Sequence, residues 1–143
     1  MRMTTLSNDD LGPLRDALTL AGLPVDDLNH PGRRFFSFSQ QGVDVAFGGI
    51  EGDGADRLLR SLVVFEGQRR RGTGAAVLAD LEAFAKNEGV VRLHLLTDSA
   101  AAFFIAQGYQ KEDRSLAPAS ISATAQFKTL CPASATYLSK CLV

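Results

Sequence analysis

The chain has 143 residues, with 15 lysines and arginines against 16 aspartates and glutamates and a formal net charge of −1 at pH 7. That length is one ordinary domain, able to bury roughly 70% of its unfolded surface without disulfides or metals, and 45% hydrophobic against 22% charged residues excludes a disordered chain. The balanced charge argues against a nucleic-acid partner, and no apolar run reaches the ~18 residues of a membrane span. Cys131 and Cys141 show neither a Cys-x-x-Cys spacing nor a nearby histidine, which argues against zinc. The expectation is one domain over residues 1–143, cytoplasmic, with free thiols and no metal.

Met1 to Leu6 reads as a short edge strand, and Ser7-Asn8-Asp9-Asp10 carries cap chemistry for a helix running to Ala21. Leu11, Leu14, Leu18 and Ala21 recur at helical spacing, and Gly22 stops the run. Leu23 to Leu28 reads as a turn with one further helical turn, giving a helix pair ahead of a sheet. Arg34–Ser39 and Val43–Ile50 are strand-like runs joined by Gln40-Gln41-Gly42, a hairpin signal, and Arg57–Phe65 continues the meander. Leu78, Leu81, Phe84 and Ala85 make the apolar stripe of a helix that Gly89 ends. Val90 to Leu96 is almost continuously apolar, as a strand buried on both faces and parallel to the third strand would be. A short helix over Ala100–Gln107, a strand from Tyr109, a helical turn in 118–124 and a last strand over Ala135–Lys140 complete the chain.

The informative stretch is Leu58 to Phe84: an apolar strand, then Arg69-Arg70-Arg71-Gly72-Thr73-Gly74-Ala75, then the amphipathic helix. A helix start has backbone N–H groups without internal partners and the positive end of the dipole, so it favours an anion. Glycine removes the Cβ that would hold a phosphate away, and arginine adds forked donors. A dinucleotide fingerprint would need glycine where Val77 stands, and no Gly-Lys-Ser/Thr triplet is present for a nucleoside triphosphate.

The remaining pattern, Arg-x-x-Gly-x-Gly/Ala between strand and helix, resembles the pyrophosphate loop of the GCN5-related N-acetyltransferase (GNAT) superfamily, and Phe104-Ile105-Ala106-Gln107-Gly108-Tyr109 resembles its second landmark. Thr124 to Ala135 and Leu59-Arg60-Ser61-Leu62 are similar to a small branch associated with arsenic resistance. The resemblance implies an α/β (mixed α+β) fold: a twisted mixed sheet, helices on both faces and a splayed central strand pair. It also implies acetyl-CoA as cofactor and direct acetyl transfer to the primary amine of a small, amino-acid-like molecule, including arsenic- or phosphorus-containing analogues. A homodimer through the sheet edge or the last strand is a further expectation.

For the cofactor, the resemblance implies Leu62, Val63 and Val64 along the strand, Arg69, Arg70, Arg71, Gly72, Thr73, Gly74 and Ala75 around the pyrophosphate, and Phe104 beside them. Acyl transfer also needs a way to deprotonate the amine and donors for the carbonyl oxygen. Phe104 stands where the family often has tyrosine, so Tyr109 is the candidate acid; Glu51 is the candidate base, with Asp53, Asp56, Glu66 and His94 behind it. Arg60 is the candidate catalytic and substrate-binding cation, because a charge in an apolar strand must pair or line a cleft. Ser61, expected on the opposite face by strand alternation, and Thr124 and Gln126 in the tail are further substrate candidates. The alternative is an idle acyl-CoA-binding or sensor domain, motivated by the missing hydroxyl at position 104 and the lack of an evident base.

Overall fold

Phenylalanines on both sides of one strand require cover on both faces of the sheet, and the chain supplies it. In the computed structural model, which describes residues 1–69, 72–130 and 134–143, strand β2 (Arg33–Gln40) sends Phe36 and Phe38 to one core and Phe35 to another. The first core lies under helix α2 (Thr73–Asn87), through Val77, Leu78, Leu81 and Ala85, and takes in Phe104 of α3 (Ala101–Ala106). The second lies under α1 (Leu11–Leu20), through Leu11, Leu14 and Leu18, with Leu28 beside them.

Between them runs a seven-stranded mixed sheet. Besides β2 it contains β1 (Arg2–Thr5), β3 (Val43–Glu51), β4 (Asp56–Val64), β5 (Arg92–Thr97), β6 (Gln110–Glu112) and β7 (Thr136–Cys141), in the order β1-β2-β3-β4-β5-β7-β6. The first four strands are an antiparallel meander, and its β2–β3 hairpin turns at Gln41 and Gly42, both with φ positive (52° and 80°), the pairing a tight two-residue hairpin needs. Strands β4 and β5 are parallel, as the unbroken apolar run over 90–96 predicts, with α2 as their crossover. The expected mixed fold with helices on both faces is therefore the one observed. No helix among the described residues is long and apolar enough to cross a membrane.

One element differs from expectation. The segment from Leu23 to Gly32 forms turns and no second helix, so α1 has no partner ahead of the sheet. Pro24 lacks an N–H for a helical bond, and the Asp27 carboxylate is held instead by Arg33 and Arg60 across the sheet face. Further on, a four-residue helix α4 (Ala119–Ser122) packs against β4, and Gln126–Leu130 form a π-helical turn.

Candidate functional site

Strands β4 and β5 are hydrogen-bonded only over Asp56–Leu58 with Arg92–His94. Beyond that point β4 stays with β3 as far as Val64, and β5 stays with β7 as far as Thr97. The parallel pair therefore opens like a wedge. The gap is a cavity of about 550 Å³, lined by Arg60–Val64, Leu95–Thr97, Phe104 and, from the end of α1, Leu20, Ala21 and Leu23. A groove of about 470 Å³ continues it to Gly72, Gly74 and Ala75. Leu62, Val64, Arg69, Ala100 and Phe104 border both spaces, so together they form one channel.

The chain makes this wedge by breaking its own register. Phe47 pairs with Val63 but Gly49 with Arg60, so Ser61 and Leu62 together face the single residue Gly48. Ser61 absorbs the extra residue with φ of +59°, a left-handed conformation that is strained for a non-glycine. This corrects the expectation that Arg60 and Ser61 face opposite ways. Arg60 Nε donates to Ser61 Oγ at 3.2 Å, and both residues border the cavity.

At the far end of the channel Gly72, with φ of +72°, is the N-cap of the 15-residue helix α2 and makes no side-chain cap bond. The first N–H groups of such a helix have no internal partner, which suits them to an anion. A Cβ at Gly74 would stand 3.3 Å from the Phe103 ring, so a larger residue there requires that ring to shift, while glycine leaves the floor open to a phosphate. Arg69 Nε donates to the Val64 carbonyl at 3.0 Å, which ties the loop to the strand. Arg70 and Arg71, also expected here, lie outside the described residues. The glycine cradle, uncapped helix and half-open strand fit a pyrophosphate followed by a long, mostly apolar arm.

The acceptor side is set by an ion cluster of which sequence reading saw only part. The Arg60 guanidinium is fully buried; Nη1 donates to Asp27 Oδ2 (2.6 Å) and Glu51 Oε1 (2.7 Å), and Nη2 donates to Asp27 Oδ1 (2.7 Å). Arg33 closes the group, donating through Nη2 to Asp27 at 2.8 Å and lying 3.4 Å from Glu51. Two cations meet two carboxylates. Burial opposes charge on both Asp27 and Arg60, but the mutual bonds and charges outweigh it, holding Asp27 at about 2 and raising Arg60 above its ordinary value. Glu51, the expected base, is thus an acceptor for arginine, and Arg60, the candidate substrate-binding cation, is paired with carboxylates inside the protein. Asp27 went unrecognised because Asp26-Asp27 in a turn reads as solvated surface; the signal that could have found it was the need of Arg60 for a buried partner.

The other candidates are placed as follows. Tyr109 is in the core beneath α2, its hydroxyl donating to Glu82 Oε2 at 2.8 Å, and it does not border the channel. Burial, then the Glu82 charge, pushes its phenol far up, out of the range where it would donate a proton readily. His94 is buried between Asp56, which accepts at 2.7 Å from Nε2, and the Tyr137 hydroxyl, 2.7 Å from Nδ1. Desolvation lowers its pKa, although Asp56 pulls the other way. Thr124 donates to the Ile121 carbonyl, and Gln126 is buried in the π-helical turn; neither borders the cavity. Cys131 lies outside the described residues, and Cys141 is an exposed free thiol.

A parallel strand pair that splays beside an uncapped, glycine-cradled helix start defines a domain suited to a phosphate-bearing ligand with a long arm. The chain belongs to the acetyltransferase (GNAT) family, whose model matches residues 6–109; members of that family are acyltransferases that use acetyl-CoA. No curated protein matches the chain in sequence. Among solved structures it is similar to GCN5 of Tetrahymena, at 14% identity and a TM-score of 0.79, covering 100% of this chain and 97% of that one. It is also similar to an aminoglycoside 6'-N-acetyltransferase complexed with coenzyme A, at 16% identity and 0.72, covering 100% and 98%. N-acetylglutamate synthase from Neisseria gonorrhoeae, solved with coenzyme A and L-arginine, shares 15% identity at 0.76 over 98% of this chain. This chain spans only 32% of the synthase's length. At these identities the likeness is one of fold.

Proposed function

We propose that this chain transfers acetyl from acetyl-CoA to the primary amine of a small molecule of amino-acid size. The carrying observation is the continuous channel from the uncapped Gly72–Ala75 helix start to the cavity at the β4 bulge. Backbone N–H groups of Gly72, Thr73, Gly74 and Ala75 hold the pyrophosphate, with Arg69, Arg70 and Arg71 as supporting charge. Leu62, Val63, Val64 and Phe104 flank the arm. When bound, acetyl-CoA supplies a thioester carbonyl for attack.

In this reading the chain's own residues orient the two reactants. Glu51 and Arg60 act as a pair that fixes the acceptor wall beside Ser61, and Tyr109 stays in the core. Among the described residues no carboxylate borders the cavity itself, and Glu66 lies in an adjoining recess with Leu20, Ala21 and Val63, so an amine proton leaves through water toward that side. An acid on the acceptor, arsenic- or phosphorus-containing as the tail resemblance would imply, calls for a free cation; Arg60 is committed to Asp27 and Glu51, whereas Arg69, bonded through Nε to the neutral Val64 carbonyl, keeps its charge at the cavity border.

The test is thiol release from acetyl-CoA with a panel of primary amines, each product confirmed by mass. An acetylated amine is the expected result. Tight coenzyme A binding with every amine left unmodified would overturn the proposal in favour of an idle binding domain.

A further inference from the structure

The β4 bulge holds a serine where glycine would be the unstrained choice. Ser61 has φ of +59°, in the left-handed region that glycine enters freely and serine enters at a cost. Glycine would also form the bulge, so what serine adds there is a hydroxyl. That side chain is buried, borders the cavity shortly beyond Leu58, where pairing with β5 ends, and accepts from Arg60 Nε at 3.2 Å. Among the described residues its own proton has no acceptor, which leaves that proton for whatever fills the cavity.

Arg60 makes this hydroxyl a stronger donor. Its guanidinium is bonded to Asp27 and Glu51 at 2.6, 2.7 and 2.7 Å, so it is held in place without help from Ser61. Linked hydrogen bonds polarise one another, and a hydroxyl that accepts from a cation donates more strongly in turn. Other polar groups border the same cavity: Thr97 Oγ1, half-buried, accepts from the Ala100 N–H, while Ser99 and Arg69 are exposed. A donor fixed away from water does more for a developing charge than one that water already solvates, and Ser61 is the buried one of these.

We infer that the Ser61 hydroxyl donates a hydrogen bond to the acetyl carbonyl oxygen of bound acetyl-CoA, and that this bond tightens as negative charge develops on that oxygen. The inference rests on the acetyl-transfer reading above and adds a side-chain donor to it. Arg60 acts through Ser61, as the residue that positions and polarises the hydroxyl. Ser61 keeps its proton throughout. The amine nitrogen bonds to the carbonyl carbon, the electron pair of the carbon–sulfur bond leaves with sulfur, and the proton lost from nitrogen reaches the thiolate through water.

Difference infrared spectra of acetyl-CoA isotope-labelled at the acetyl carbonyl, bound with no amine present, read this contact directly. In wild type the carbonyl band is expected below that of free acetyl-CoA, and in Ser61→Gly and Ser61→Ala most of that shift is lost. Ser61→Gly relieves the left-handed strain and leaves Arg60 its bonds to Asp27 and Glu51, so the fold is kept. Both variants should bind acetyl-CoA within about threefold of wild type, because the pyrophosphate cradle is untouched, while kcat for an accepted amine falls about 100-fold, as when one oxyanion donor is removed. The same band in wild type and both variants, or a kcat for Ser61→Gly within about threefold of wild type, would overturn the inference and leave the transferase reading standing. A band that depends on Ser61 with every amine left unmodified would sink the transferase reading and leave the contact in place. No binding of acetyl-CoA by wild type would overturn both.

Discussion

Asp27 and Arg60 meet through two parallel charge-assisted bonds of 2.6 and 2.7 Å across a separation of 33 positions in the chain, one from a turn and the other from the middle of β4. Such fork-to-fork pairing is among the stronger polar contacts a protein makes, and here it sets the acceptor wall. Asp27→Asn removes the charge and one lone-pair face while Glu51 remains. We expect a loss of about 3 kcal/mol by urea denaturation, since a buried cation is left partly uncompensated.

The same carboxylate predicts a dependence on pH. Its folded pKa of about 2 lies below the ordinary value near 4, so the stabilisation is complete above about pH 4 and is lost as pH falls toward about 2. The lost term is about 2 kcal/mol, from ~1.4 kcal/mol per pKa unit. Denaturation midpoints of wild type and Asp27→Asn should converge over that window.

His94 predicts a second, separate window. Its folded pKa is depressed, so the unfolded chain binds the proton more tightly and stability rises with pH. Wild type should lose stability as pH falls below about 6.5, the unfolded value, and His94→Gln should not show that loss. Thermal melts from about pH 7.5 to about pH 5 would check it.

At the donor end, Gly74→Val should raise the dissociation constant for coenzyme A at least about tenfold by titration calorimetry. Its new side chain would press on Phe103, 3.3 Å from the Cβ position, and intrude on the cradle. Gly72→Val acts through the backbone: φ is +72°, and a β-branched residue there costs on the order of 1–2 kcal/mol in stability as well.

Tyr109→Phe separates structure from chemistry. Loss of the bond to Glu82 should cost about 1 kcal/mol in denaturation, because Glu82 keeps Lys140 as partner at 3.0 Å. Turnover of an accepted amine should stay within about twofold of wild type, since the hydroxyl lies outside the channel.

Local chemistry carried much of the fold into the sequence. Alternating and continuous apolar runs place β2 to β5, the stripe from Leu78 to Ala85 gives α2 its buried face, and Gly72 and Gly74 mark the anion cradle because only glycine serves both as left-handed cap and as open floor. These features depend on neighbours a few residues away. The helix expected over 23–28 failed for the opposite reason, since Asp27 answers to arginines on β2 and β4 rather than to its own turn.

Sequence alone thus determined the sheet-and-helix frame, the strand–loop–helix at Arg69–Ala75 and the presence of a cation, Arg60, that had to find a partner. Tertiary structure decided which partner, and with it what the cavity presents to a ligand. The bulge at Ser61 carries no glycine on its own strand, and the Asp27–Arg60–Glu51–Arg33 cluster joins four separate segments. Strand register and long-range charge pairing are settled by packing across the sheet, where sequence separation no longer predicts distance.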